Sequence, residues 1–189
     1  MSAPSCAVDV SVLNAYLSCM SGPEHPFRVL FVCSGNTCRS PLAEVALKRM
    51  LGVSAGRVEV RSAGVSAWDG APASDGARAV ARKHGLDLEG HLSRRLTSAI
   101  LAGQDLVLLM NPGDLLRVKA LDPEGGAEVF GLADFGRSRP EGLGVPDPYG
   151  GPPEAYEATL AHIEEHLGRV VPYIQAELRE REVGARKPS

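Results

Sequence analysis

Cys33 and Arg39 stand at the two ends of a short stretch reading Cys33-Ser34-Gly35-Asn36-Thr37-Cys38-Arg39, followed by Ser40 and Pro41. A sulfur nucleophile and a planar guanidinium at that spacing suit one task. The guanidinium fork grips two oxygens of a tetrahedral oxyanion while the sulfur faces its central atom. Between them, Gly35 and Asn36 are residue types that tolerate positive φ, and Ser34 is a further turn former. Successive backbone N–H groups can therefore be aimed at one point. Ser40 is expected to be the N-cap and Pro41 the first residue of the helix that follows. The amide donors, the helix dipole and Arg39 all favour negative charge, so Cys33 is expected to be substantially thiolate at neutral pH. The chemistry implied is nucleophilic attack on phosphorus.

Such a loop needs a rigid strand before it and a helix after it. Val29, Leu30, Phe31 and Val32 form an apolar run with the length and β-branched content of a buried strand. Pro41 to Leu51 carries apolar residues at helical spacing, with Gly52 as its stop. Downstream, strand and helix patterns alternate. The sequence predicts a strand over Arg57 to Arg61, a helix over Ala73 to His84 and a strongly apolar strand over Leu106 to Met110. Asn111 and Pro112 are expected to cap and start a helix reaching about Leu121. A weaker strand over Glu128 to Gly131 and a long helix from Glu154 to about Arg181 complete the pattern. Four strands separated by helices imply a parallel sheet covered on both faces, an α/β fold of three layers, αβα. A loop after the first strand lies where ligands bind in such folds. Gly131 to Gly151 is rich in Gly and Pro, so it is either a passive connection or a functional loop, and Asp147-Pro148-Tyr149 at its end argues for the second.

Cys-x5-Arg-Ser-Pro with Gly35, Asn36 and Cys38 inside it resembles the low-molecular-weight protein tyrosine phosphatase family. The resemblance continues through Val60 to Gly64, Trp68 and Asp147 to Gly151, covering roughly residues 28 to 180. It implies a flavodoxin-like strand order of 2-1-3-4. It also implies attack by Cys33 to form a phosphocysteine intermediate, with Asp147 as acid and then base and Arg39 with the loop amides holding the phosphoryl oxygens. Asn36, Ser40, Ser62 and His91 match the hydrogen-bonding network that supports the loop. Trp68 and Tyr149 match the aromatic walls of the pocket mouth. Trp68 lies in a Ser, Asp, Gly and Pro-rich loop, where core packing is not expected. No metal or cofactor is needed. Cys38 is placed to form a disulfide with Cys33 on oxidation, which would protect the nucleophile.

Thr37 stands where tyrosine phosphatases of the family carry a branched aliphatic residue. The protein arginine phosphatases of the family resemble this chain in having threonine there and two glycines after the aromatic, as in Tyr149-Gly150-Gly151. A guanidinium carries N–H donors that an aliphatic wall leaves unpaired, whereas the Thr37 hydroxyl can accept one. Tyr149 departs from the phenylalanine expected in that branch. Phosphoarginine is thus favoured over phosphotyrosine as the substrate side chain. Two other classes stand beside this reading. An arsenate reductase of the same fold needs cysteines downstream, and none follows Cys38. An inactive phosphate-binding module predicts loss of Cys33, Arg39 or Asp147, and all are present.

The chain has 189 residues, 44% hydrophobic and 23% charged, enough for one full core. A net charge of −3 offers no basic field for nucleic acid or an anionic membrane, and no apolar run is long enough to span one. The four cysteines lie within the first 38 residues, which is not a secreted disulfide framework, so a cytoplasmic protein is expected, as a monomer or weak dimer. Residues 1–27 stand outside the pattern. Val8 to Met20 has the makings of a short helix and Ser21 to Pro26 of a linker, and the reading is either a loosely ordered extension or translation from Met20. Residues 28–182 are the expected domain and 183–189 a frayed tail. His162-Ile163-Glu164-Glu165-His166 fits the spacing of an inverted zinc-protease motif, but both histidines precede apolar positions and are expected to edge a solvated face.

Overall fold

The computed structural model describes residues 25–138 and 142–185. The predicted helix over Val8 to Met20, Cys6, Cys19, most of the predicted linker and the last four residues of the predicted tail lie outside them. Strand β1 spans Phe27–Cys33, β2 Val58–Gly64, β3 Leu106–Leu109 and β4 Glu128–Gly131. All pair in parallel, in the order β2-β1-β3-β4. Helix α1 covers Arg39–Leu51, α2 Asp75–Lys83, α3 the single turn Ser98–Leu101, α4 Leu115–Leu121 and α5 Pro153–Ala185. The expected αβα architecture and strand order are the observed ones.

Alternation along β1 builds the two faces of the sheet. Val29, Phe31 and Cys33 join the core formed with α1, α2 and α5. Leu30 and Val32 join the smaller core formed with α3 and α4. Burying such a side chain fully is worth about 1.5–3 kcal/mol, so a strand buried on both sides is rigid ground for the loop at its end. The pairing register places Cys33 opposite Gly64, and Val32 opposite both Ala63 and Leu109. The three strands therefore end together, and the loops that follow them meet above the sheet.

Several boundaries differ from the sequence pattern, each for a local reason. Helix α1 starts at Arg39, and Ser40 lies inside its first turn rather than at the N-cap, which Cys38 occupies without a side-chain capping hydrogen bond. The Ser40 hydroxyl is turned inward to Cys33 and Asn36, so it cannot also cap the helix. Helix α2 starts later than predicted, because Ser74 Oγ accepts from the Ala77 N–H and fixes the N-terminus there. Asn111 Oδ1 accepts from the Gly113 N–H, starting a 3₁₀ turn over Pro112–Asp114 before α4. Helix α5 continues through Val183 to Ala185, past the predicted start of a frayed tail, with Leu178 still in the core. Strand β2 runs three residues beyond its predicted end, because β1 supplies a paired partner as far as Cys33.

Candidate active site

The loop from Cys33 to Arg39 closes around its own first residue. Asn36 has φ 55°, the one non-glycine residue with positive φ among the described residues, and so turns the chain back. Its N–H then points at the Cys33 sulfur, 3.1 Å away. Of the two residues whose types tolerate positive φ, Asn36 adopts it and Gly35 does not. Ser40 Oγ lies 3.0 Å from Cys33 Sγ on the other side. The Asn36 N–H and the Ser40 hydroxyl thus converge on one buried sulfur, and Ser40 Oγ also lies 3.4 Å from Ala63 O.

The loop is held from beneath by a buried polar network. Asn36 Nδ2 donates to Ser40 Oγ and to Ser62 Oγ, each at 2.9 Å. Ser62 Oγ in turn donates to Glu44 Oε2 at 2.6 Å. Asn36 Oδ1 accepts the Arg94 N–H at 2.8 Å, and the Asn36 carbonyl accepts from His91 Nε2 at 2.7 Å. The structure therefore brings Asn36, Ser40, Ser62 and His91 together. Glu44 and Arg94 complete the network without a signal in the sequence, because each is joined to it only by chain folding.

Gly64 explains how closely the segment after β2 approaches. A Cβ there would sit 2.6 Å from Ser34 O and 2.9 Å from Asn36 N. With no side chain in the way, Val65 N donates to Cys33 O and Ser66 N to Ser34 O. This clamps the loop on its outer side and carries Ser66, Ala67 and Trp68 to the rim.

Arg39 is 6% exposed and spans the site. Its Nη1 donates to Val145 O at 3.1 Å, its Nη2 donates to Asp147 Oδ2, and its buried Nε has no partner. An unpaired buried guanidinium N–H is costly unless an acceptor arrives, and an oxyanion in the cradle would supply one. Asp147 reaches the site because Val145 N donates to Met110 O at the end of β3, and Thr159 Oγ1 to Pro146 O. Its Oδ1 also accepts the Tyr149 N–H at 3.2 Å.

These groups line one cavity of about 320 Å³, bounded by Cys33, Ser34, Gly35, Thr37, Cys38 and Arg39 below and Trp68, Tyr149 and Asp147 above. Trp68 is 85% exposed and Tyr149 72%, so both are rim residues and not core. Cys38 is buried with its Sγ 3.0 Å from Ser74 Oγ, and burial pushes its thiol pKa up. Cys33 and Cys38 are both free thiols.

The motif at His162 and His166 lies elsewhere, and one expectation about it fails. His166 is buried, not at a solvated edge, because the side chain folds back to Arg169, whose Nη2 lies 2.9 Å from His166 Nδ1. Its Nε2 is 2.9 Å from His162 Nε2. Glu164 is drawn off to Arg49. Among the described residues, no group of three or more His, Cys, Asp or Glu side chains is placed to hold a metal, and no helix is long and apolar enough to cross a membrane.

Comparison with known proteins agrees with this geometry. The family model for low molecular weight phosphotyrosine protein phosphatases matches residues 28–182. A probable low molecular weight protein-tyrosine-phosphatase, EpsP of Ralstonia solanacearum, is 36% identical over 149 residues, covering 78% of this chain and 96% of that protein. A protein-arginine-phosphatase of Geobacillus stearothermophilus is 37% identical over 154 residues, covering 80% of this chain and 99% of that one. The solved structure of the YwlE arginine phosphatase from G. stearothermophilus superposes with a TM-score of 0.73 at 35% identity, covering 82% of this chain and 97% of that structure. With the family pattern matched over the whole described domain, the chain belongs to the low molecular weight protein phosphatases.

Proposed function

We propose that this chain hydrolyses phosphorylated protein side chains through a phosphocysteine intermediate, with phosphoarginine preferred. The observation that carries the reading is the convergence of Asn36 N–H and Ser40 Oγ on the Cys33 sulfur, at the floor of a cavity walled by Arg39 and Asp147. In the first step the Cys33 thiolate attacks phosphorus, an S–P bond forms, and the bond to the leaving atom breaks as Asp147 gives it a proton. In the second, Asp147 takes a proton from water, the resulting hydroxide displaces sulfur, and inorganic phosphate and the Cys33 thiolate are restored. Arg39, with its unpaired Nε, and the loop amides hold the equatorial oxygens as charge shifts among them. Ser40 stabilises the sulfur as it leaves.

Substrate preference rests on Thr37, which lines the cavity beside Cys38. Trp68 and Tyr149 can stack on a phenyl ring or a guanidinium alike, since both are planar. Thr37 can distinguish them, because its hydroxyl accepts from a guanidinium N–H and finds no such donor on a phenyl ring. Relatives named as tyrosine phosphatases and as an arginine phosphatase both align along this chain, which leaves that side chain as the deciding feature. We place the enzyme in the cytoplasm, acting as a monomer or weak dimer.

The test is phosphate release from matched peptides carrying phosphoarginine or phosphotyrosine, with Cys33→Ala as the blank. Preference for phosphoarginine that shifts to phosphotyrosine in Thr37→Ile supports the assignment. Preference for phosphotyrosine in the unaltered protein replaces it with the ordinary tyrosine phosphatase reading. No release from either peptide leaves a phosphate-binding module.

A further inference from the structure

Arg117, beside the rim of the cavity, has no carboxylate partner among the described residues. Arg117, on α4, reaches across to the segment after β2, where its Nη1 donates to Ser66 Oγ at 3.1 Å. Ser66 lines the cavity next to Ala67 and Trp68. Arg117 is exposed, and that neutral hydroxyl is its sole side-chain partner among the described residues. Arg49, Arg57 and Arg82 each hold a glutamate, whereas Arg117, like Arg94, Arg95 and Arg179, holds none among the described residues; Arg117 is the one of these four whose guanidinium is bonded to a side chain lining the cavity.

The two carboxylates near the mouth are both turned to partners other than Arg117. Asp147 is paired with Arg39 and accepts the Tyr149 N–H. Asp69, beside Trp68, accepts the Arg95 N–H at 2.6 Å. Among the described residues Arg117 thus has no ion-pair partner at the edge of the site, where Ser66 Oγ holds it. A fixed charge at a rim selects among partners and speeds encounter with the matching one.

We propose that Arg117 is a specificity-determining residue that favours protein substrates with an Asp or Glu close in sequence to the phosphorylated residue. This rests on the phosphatase reading above and deepens it. The bound peptide leaves the cavity over Ser66 and Trp68, and an acidic side chain on that side meets the Arg117 guanidinium. The contact is solvent-exposed, so the gain is modest and sensitive to salt.

The experiment compares kcat/KM for peptides with the same phosphorylated residue flanked by Glu, Gln or Lys, on either side. The unaltered enzyme should favour Glu over Gln by about three- to fivefold at low salt, and by little at about 0.5 M salt. Arg117→Gln should bring that ratio close to one, and Arg117→Glu should reverse it in favour of Lys. Because each ratio is taken within one form of the enzyme, a general loss of activity does not disturb it. A ratio near one in the unaltered enzyme, or a ratio unmoved by Arg117→Glu, overturns the proposal. Turnover of p-nitrophenyl phosphate separates the two readings. Turnover without flank preference overturns this inference alone, whereas no Cys33-dependent turnover overturns the phosphatase reading and this inference with it.

Discussion

Arg39 donates through Nη2 to Asp147 Oδ2, joining the cation that would hold a phosphoryl group to the carboxylate that would protonate its leaving atom. The two are 108 residues apart in sequence and are brought together by Val145, whose carbonyl accepts Arg39 Nη1. An entering oxyanion competes with Asp147 for the same guanidinium. Asp147→Asn should therefore do two opposite things. It should lower kcat by about 10²- to 10⁴-fold, with the greater loss on substrates with poor leaving groups. It should also tighten inhibition by inorganic phosphate, because no carboxylate remains to compete for Arg39 or to repel the anion. Steady-state kinetics with phosphate as inhibitor checks both, and an unchanged phosphate constant would mean that the pair does not hold Arg39 in solution.

Asn36 supplies both the bend of the loop and the bonds that keep it bent. It is fully buried at φ 55°, with its side-chain amide bonded to Ser40, Ser62 and the Arg94 N–H. Asn36→Gly keeps the bend accessible and removes those bonds, so it should cost about 1–3 kcal/mol of stability and lower kcat. Asn36→Ala removes the same bonds and adds the strain of a left-handed alanine, about 1 kcal/mol more. Urea denaturation of the two variants, read beside their kcat values, separates bend from network.

What the sequence made legible is what is local in it. The apolar run of β1, the turn types at Ser34 to Asn36 and the Cys33 to Arg39 spacing lie within one short stretch, and their roles in the loop's shape follow from neighbouring residues. The role of Asp147 as acid and the place of Trp68 in the pocket wall are legible only through family resemblance, since no local pattern ties either to Cys33. Glu44, Ser74 and Arg117 carry no signal in the sequence, and Gly64 stands out only as the end of the Val60 to Gly64 stretch that resembles the family. Gly64 matters only because Ser34 and Asn36 pass close by, Ser74 because Cys38 packs on its hydroxyl, and Arg117 because α4 brings it to Ser66. Ser40 misled for the same reason. Its type and its place before Pro41 signal a cap, and only the fold reveals that Cys33 and Asn36 engage its hydroxyl instead.

Cys38 is buried beside the cavity, and burial keeps its thiol protonated at neutral pH. It is thus a poor first target for oxidants but a usable partner for an oxidised neighbour. Peroxide should convert Cys33 to a sulfenic acid with release of water, and the Cys38 thiol should then condense with it, losing a second water to give a disulfide. Activity lost to peroxide should return with dithiothreitol in the unaltered enzyme. In Cys38→Ser a growing share should be lost for good as Cys33 passes to the sulfinic acid. Equal recovery in the two forms would remove the protective role.

His166 should make stability depend on pH through a site remote from the cavity. Its Nδ1 accepts from Arg169 Nη2, which leaves its proton on Nε2, facing His162. Burial lowers its pKa, and the neighbouring His162, Arg169 and Arg137 act in the same direction, opposed by Glu165. Arg169 also donates to Phe135 O at 2.7 Å and Ala133 O at 3.0 Å, on the chain that leads from β4 toward Asp147. A proton on Nδ1 would break the bond to Arg169 and set two cations side by side. In the unfolded chain this histidine takes up a proton near pH 6.5, whereas in the folded protein it resists. The unfolded state therefore binds more protons below that point, so stability is flat above it and falls as the pH drops, by at most about 1.4 kcal/mol per pH unit from this group. The fall ends once the pH passes below the folded value. His166→Gln keeps an acceptor for Arg169 and cannot titrate. Urea midpoints for the two forms between pH 7.5 and 5 should run parallel at the upper end, and toward acid the unaltered form should lose more than His166→Gln; curves that stay parallel throughout would show that His166 does not set this dependence.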